Sequence, residues 1–556
     1  MSLALELMAA PSFHVFTVFA PFVCCALFLA VLVISGDGAD GAVGGFYLGD
    51  RRLSPARAGL ALFGSYMSAA TLLGTPGLVA LTGYDGMMIF LLGPVVSWIV
   101  IQFLIAEPYH STGRFTVGDC LARRLNPRPV HAAAGLATLV ICLLYLIPQL
   151  VGAGALAAPV LGLTGVAAER SMVAALGFVM ILYVAIGGMR ATTVVQVLKA
   201  GLLVGGGLLL AFGVLSEAGW NPGEVLHRAA VNSGAGDRFL NPGAAVGSDA
   251  VSRVDGLSLQ LAIVLGAAGL PHLLMRISAV PTARAARGTV RWAALLTLAF
   301  CLMAAVIGLG AGALVGPARI TRESPSGNTA TFLLADQLGG TVLLTVISCV
   351  AFMTILAVVS GTTLAACAAV AHDLYQAAFR QGRAPESREV GLARIAAVLI
   401  GVIATTLSMY AQDINVTTLV ALAFAVAAST VLPALLYTLY WSGFTSRGAC
   451  WTLYGGLVSS LTLWALSPGL SGSATSLLPN SDFALFPLRY CGIASIPLGF
   501  LLGWLGSFLD RGQPDVRKFA DLQHRVAVEN STGISRTGPG VERTTPGDPG
   551  SFFTAR

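Results

Sequence analysis

The chain contains two lysines, Lys199 and Lys518, and the first stands inside a long apolar stretch. Lys199 lies nine residues beyond Arg190, so at about 1.5 Å per helical residue it enters roughly 13 Å into a hydrocarbon core of about 30 Å. A charge at that depth needs a partner. No Asp or Glu falls midway along an apolar stretch to supply one, since Asp85, Glu107, Asp336, Asp373 and Asp413 all stand at ends or in loops. The natural partners are an anionic substrate, an exchangeable proton or a ring of carbonyls. The plainer alternative is a lysine snorkelling to the inner interface.

A second chemistry is that of neutral oxygens. In Ala357-Val358-Val359-Ser360-Gly361-Thr362-Thr363 the hydroxyls of Ser360 and Thr363 are three residues apart and share a helix face. Hydroxyls together with freed carbonyls suit a hard cation such as Na+, although such side chains more often bond back to their own helix. Freed carbonyls come from interrupted helices. Gly74-Thr75-Pro76-Gly77 interrupts the outer half of one apolar stretch, and Gly266-Ala267-Ala268-Gly269 followed by Pro271 interrupts another. Proline removes a backbone donor and glycine weakens the helix, which lipid tolerates only where the opened backbone lines a cavity or protein interior. Glycine used for close helix packing alone is the competing explanation.

These residues need spans to hold them. Of 556 residues, 56% are hydrophobic and 10% charged, against about 25% charged in a soluble protein. That composition excludes a water-soluble globule, a nucleic-acid binder and a disordered chain. Apolar runs bounded by charge or by Pro/Gly clusters predict about thirteen transmembrane helices in an all-α polytopic membrane protein. The second span runs from Ala58 to Leu81, the sixth from Thr192 to Leu215, the seventh from Leu257 to Ser278 and the ninth from Gly340 to Ala371, with the first from Phe13 to Ser35. The interruptions fall five spans apart, in the second and seventh, so the two broken helices point in opposite directions and mark an inverted repeat. Arginines crowd the loops that lie inside when the N-terminus is outside, which predicts an N-out, C-in orientation.

The expected organisation is a first span and inner loop over 1–57, a transport core over 58–440 with repeats at 58–215 and 257–440, two further spans over 441–510, and a disordered cytoplasmic tail over 511–556. The segment from Gly113 to Leu121 reads as a short amphipathic helix at the interface. The nine scattered cysteines make no CxxC pair and the seven histidines no HExxH. No paired acid and base stands within a span, so nothing points to an enzyme.

Several motifs resemble one family in order along the chain. They are Gly45-Phe46-Tyr47-Leu48-Gly49-Asp50-Arg51-Arg52-Leu53, Tyr66-Met67-Ser68-Ala69-Ala70-Thr71-Leu72-Leu73-Gly74 with Gly83-Tyr84-Asp85-Gly86, and Gly113-Arg114-Phe115-Thr116-Val117. Further on come Ile186-Gly187-Gly188-Met189-Arg190-Ala191-Thr192-Thr193, Gly269-Leu270-Pro271-His272-Leu273-Leu274-Met275-Arg276, and Ala371-His372-Asp373-Leu374-Tyr375. The chain resembles the sodium/solute symporter family, and within it the bacterial cation/acetate (monocarboxylate) symporters. The resemblance implies a leucine-transporter-like core of 5+5 helices, with one span before and two after.

It further implies a Na+ site between the second and ninth spans, with carbonyls from Gly64, Met67 and Ala357 and the hydroxyl of Ser360. The register of the ninth span is open by three residues, so Thr362 and Thr363 compete with Ser360. Ser68 and Gly74 match positions near the substrate in the related proline permeases. Related acetate symporters carry an acid where this chain has Ser65, and proline and sugar carriers carry one at Gln196. Those two departures leave Na+ and H+ open as coupling ion. Gln196 with Lys199 matches the acetate subgroup.

The expected function is a secondary active symporter of a bacterial inner membrane, multi-pass in the lipid bilayer. It takes up acetate, propionate, pyruvate or a similar monocarboxylate with Na+ or H+, and uses no other cofactor. The substrate-contacting set is Ser68, Gly74, Gln196, Lys199 and Gly269, and the Na+ set is Gly64, Met67, Ala357, Ser360 and Thr363. The alternatives are a symporter of another small solute such as an amino acid, and a non-transporting sensor on the same fold; oligomeric state is not legible.

Overall fold

The computed structural model describes Tyr47 and residues 53–532, apart from 69, 113–114, 161–165, 187–188, 244–248, 324–326, 381–382, 384, 412–415, 473–475, 477, 479 and 513. The expected first span and most of the Gly45 to Leu53 motif lie outside the described residues. Within them, eight helices are long and apolar enough to cross a membrane, or nine when the bent pair Pro55–Tyr66 and Ala70–Thr82 forms one span. The chain is all-helical, a multi-pass membrane protein whose apolar helices show large side chains such as Phe103, Leu209 and Leu399 on their outer surfaces. Such exposure is costly in water and favourable in lipid, where the acyl chains are as apolar as leucine.

Two five-helix series follow one another. The first is the bent pair, then Tyr84–Thr112, Pro127–Val160, Val166–Ile186 and Met189–Glu217. The second begins with Ala250–Gly266 and Pro271–Ser278, again a broken helix, and continues through Ala283–Leu314, Ala330–Phe379, Glu386–Tyr410 and the run Val416–Ser429 with Val431–Tyr440. Each repeat therefore leads with its interrupted helix. In the long helix Ala330–Phe379, Gly340 adopts φ 57° and separates a short first piece from the long apolar remainder. Glycine meets no Cβ penalty in that left-handed conformation. Helix Gly492–Phe508 packs against the second repeat.

At one end of the helices a buried polar network ties elements that are far apart in sequence. Asp373 is fully buried, although the sequence places it at a span end. Its Oδ1 accepts from Thr116 Oγ1 at 2.6 Å and lies 2.8 Å from His131 Nδ1. His372 bridges Asp119 at 3.0 Å and Glu389 at 2.9 Å. Asp119 also closes a capping box with Thr116 at the start of helix Val117–Ala122. Burial pushes the Asp119 carboxyl up, but His372, His131 and the Phe115 N–H together outweigh it and hold that carboxyl well below the usual carboxylate range. The segment expected at the interface is thus packed inside, with Val117, Gly118, Cys120 and Leu121 all buried.

Two arginines that the orientation rule counts as inner-loop charges are buried. Arg124 donates to the carbonyls of Thr438, Trp441 and Phe444 at 3.2, 2.8 and 3.1 Å, and to that of Ser442. It therefore caps the end of helix Val431–Tyr440, where orphan carbonyls carry partial negative charge. Arg276 is buried in the last turn of Pro271–Ser278.

The tail corrects one expectation. Residues 516–532 of the segment expected to be disordered form a helix, Val516–Thr532. Leu522 is buried, Phe519 lies under the Arg124 guanidinium at 4.6 Å, and Gln523 donates to the Leu439 carbonyl at 2.5 Å. Phe519, Leu522 and Val526 recur at three- and four-residue spacing, so this charged segment carries one narrow apolar stripe, which packs beside Arg124 and Leu439.

Candidate functional site

Each broken helix opens at an extended residue. Met67 (φ −69°, ψ 120°) ends the first half of the second span, and Leu270 (φ −73°, ψ 116°) separates the halves of the seventh. The seventh breaks where its Gly-Ala-Ala-Gly-Leu-Pro sequence predicts, through a 3₁₀ turn at Ala267–Gly269. The second breaks earlier than the expected Gly74 to Gly77. Pro76 sits at the second position of Thr75–Thr82, and the wide π turn Ala70–Gly74 ahead of it accommodates the missing donor and the ring. The helix runs on through the Gly-Thr-Pro-Gly sequence, and the backbone opens at Met67 and Ser68 instead.

That opening frees carbonyls, and Lys199 takes them. Its ammonium, fully buried, donates to Gly64 O at 2.6 Å and Met67 O at 2.5 Å. One turn earlier on the same helix, Gln196 Nε2 donates to Ala357 O at 2.6 Å. The approach depends on glycine at position 64, because a Cβ there would meet the Gln196 carbonyl oxygen at 2.5 Å. Of the expected Na+ ligands, Ser360 Oγ donates to Ala357 O at 2.7 Å and Thr363 Oγ1 to Val359 O at 2.8 Å, both within their own helix. The residues of the expected cage do come together. They do not fit a Na+ ion as they stand, because protein donors use all three backbone carbonyls.

The substrate set divides. Ser68 lines a cavity of about 40 Å³ together with Tyr66, Thr71, Tyr145, Ile263 and Phe424. Lys199, Gln196, Gly74 and Gly269 are not among its lining residues. Lys199, expected to face an anion, is turned to carbonyls, which is the third partner its burial allowed. Gly269 instead lets the seventh span approach helix Val416–Ser429, where a Cβ would lie 2.4 Å from Ala427 O.

Two groups of the site went unread in the sequence. Tyr145 hydrogen-bonds Ser68 across the cavity. His272 is buried, its ring 5.0 Å from that of Tyr145, and neither ring nitrogen has a hydrogen-bond partner among the described residues. Its position directly after Pro271 was the available signal, since the first turn beyond a break carries side chains into the opening. Arg276, one turn on, donates to Thr193 Oγ1 at 3.2 Å.

Comparison with known proteins gives concordant results. The family model described as the sodium:solute symporter family matches residues 46–456. A monocarboxylic acid transporter of Corynebacterium glutamicum is 43% identical over 508 residues, covering 90% of each chain. An uncharacterised symporter, YwcA of Bacillus subtilis, is 41% identical over 490 residues, covering 88% of this chain and 93% of its own. Among solved structures, the substrate-bound outward-open state of a Na+-coupled sialic acid symporter superposes with a TM-score of 0.66 at 14% identity. That match covers 90% of this chain and 98% of the other, and shows a shared fold.

Proposed function

The chain belongs to the sodium:solute symporter family, and from that membership we propose that it carries a short monocarboxylate into a bacterial cell, across the inner membrane, driven by a cation gradient. It is a transporter and not an enzyme. The observation that carries the substrate class is the cavity beside the broken second span. Its volume of about 40 Å³ suits a few heavy atoms, being above the roughly 10–15 Å³ that a single water needs. Its wall is apolar at Leu259, Ile263 and Phe424 and carries hydroxyls at Ser68, Thr71 and Tyr145. An acetate or propionate would place its methyl end on the former and its carboxylate on the latter, with the start of helix Ala70–Thr82 adding positive potential. The relative named as a monocarboxylic acid transporter supports the same class.

Alternating access is the working cycle. The two broken helices rock as part of one bundle against the other, opening the cavity first outward and then inward. The network around Asp119, His372 and Asp373 ties the inner ends of the first-repeat and second-repeat helices, so it closes the inner side in this state. An N-out, C-in chain of thirteen spans puts that network on the cytoplasmic face. The family name supports Na+ as the driving cation, and the occupied carbonyl cage favours the alternative, H+.

Proteoliposome uptake tests this reading. Labelled acetate, propionate, pyruvate, butyrate and neutral amino acids are offered under Na+ or proton gradients imposed separately. Accumulation of the C2–C3 acids is expected; accumulation of neutral amino acids with no carboxylate uptake sinks the substrate class.

A further inference from the structure

We propose that the ammonium of Lys199 permanently takes the place of the coupling cation between the second and ninth spans, so that Na+ neither binds there nor drives transport by this chain. The premise is geometric. The two carbonyls exposed by the break at Met67 converge on one nitrogen, and that nitrogen belongs to the protein. The third carbonyl of the cage, on Ala357, receives Gln196 from the adjoining turn of the same helix. Lys199 and Gln196 thus insert together, as one face of the sixth span, between the two helices whose oxygens would otherwise hold a free ion.

Charge and packing both maintain that arrangement. No carboxylate hydrogen-bonds or ion-pairs with Lys199 among the described residues, so nothing draws its nitrogen off the two carbonyls, and a Na+ would have to displace it to reach them. Arg276 puts a positive charge nearby: a Cβ placed on Gly361 would stand 3.5 Å from both Arg276 Nη2 and Gln196 Nε2. The absence of a side chain at Gly64 holds the sixth span close enough for the lysine to reach both carbonyls. A mobile ion can leave its cage during the transport cycle. A tethered ammonium cannot, so the contact between the second and ninth spans no longer reports the Na+ gradient.

The test measures ion binding on the full-length protein in detergent, with choline replacing Na+ at constant ionic strength. In the wild-type protein, 22Na+ binding is expected to be non-saturable and the melting temperature independent of Na+. Lys199→Ala vacates the cage, and saturable Na+ binding is expected to appear, then to vanish in Lys199→Ala with Ser360→Ala. Lys199→Met removes the charge but keeps the bulk, and is expected to bind none. Saturable Na+ binding by the wild type that Ser360→Ala abolishes overturns the proposal. A folded Lys199→Ala protein that gains no Na+ binding also overturns it. Should that variant fail to fold, the wild-type measurement decides alone. The uptake arm rests on the transport reading: at fixed pH and membrane potential, a Na+ gradient is expected to change acetate uptake less than twofold, and a stimulation of fivefold or more overturns the inference. Failure of every carboxylate to enter under any gradient refutes the transport reading instead and leaves the ion-binding result standing.

Discussion

Gly64→Ala is the smallest change that reaches the centre of the molecule. The added methyl would stand 2.5 Å from the Gln196 carbonyl oxygen and 3.0 Å from its Oε1, where ordinary contacts begin at 3.4 Å. The obstructing atom is backbone, so relief requires the second and sixth spans to part by about 0.9 Å, taking 2.5 to 3.4 Å. If the lysine stem does not follow, its bonds to Gly64 O and Met67 O lengthen from 2.6 and 2.5 Å to roughly 3.4–3.5 Å, outside the usual range of about 2.7–3.2 Å. Hydrogen bonds from a charged donor contribute about 1.5–3 kcal/mol each, so the loss is about 3–6 kcal/mol, offset by about 1 kcal/mol of improved helix propensity. Gly201→Ala is the matched control, on the same helix as Lys199 with nothing within 4 Å of the new methyl. Melting temperature in detergent and initial uptake of labelled acetate are the two readouts. A fall of several degrees and at least tenfold slower uptake are expected for Gly64→Ala, with Gly201→Ala unchanged. A Gly64→Ala protein within a degree and twofold of wild type would show that the close approach of these spans does not matter.

Three more predictions follow from named contacts. Arg124→Ala strands the carbonyls at the end of Val431–Tyr440 and should cost about 2–4 kcal/mol, read as a lowered melting temperature, with Arg124→Lys a poor substitute because an ammonium cannot present the same fork. The lowered pKa of Asp119 means that its contribution is complete above the ordinary carboxylate range and is lost as pH falls through its folded value; Asp119→Asn should therefore lower the melting temperature at pH 7 and flatten its decline in acid. Ile263→Ala enlarges the cavity by three carbons on its apolar wall, so the kcat/KM of butyrate relative to acetate should rise about tenfold or more in competitive uptake, at about 1–3 kcal/mol per methylene; an unchanged ratio would remove the cavity as the substrate site.

How much of this was legible depended on how local the cause was. The apolar spans, the five-plus-five repeat and the break at Leu270 follow from hydropathy and from Gly and Pro, which act on the backbone within a turn or two. The second break was misplaced because Gly74 and Pro76 look like a breaker, whereas the preceding π turn absorbs them and lets the helix continue. The helix Val516–Thr532 was hidden in a polar tail because its stripe is narrow and its stability comes from Leu439, Arg124 and their neighbours, not from its own composition. Burial of Asp373 depends on Thr116 and His131, more than two hundred residues away in sequence.

Lys199 shows the division most plainly. Its depth, and the lack of any acid at its level, are properties of one helix and of composition, and the sequence alone determined them: a buried cation had to find an anion, a proton or carbonyls. Which of these it found was decided in three dimensions. The carbonyls of Gly64 and Met67 stand 135 and 132 residues away and become acceptors only because their own helix opens there, and only because glycine lets the two backbones touch. Hydropathy is additive along a chain and can be read from it, whereas a hydrogen bond between spans exists only once both have been placed.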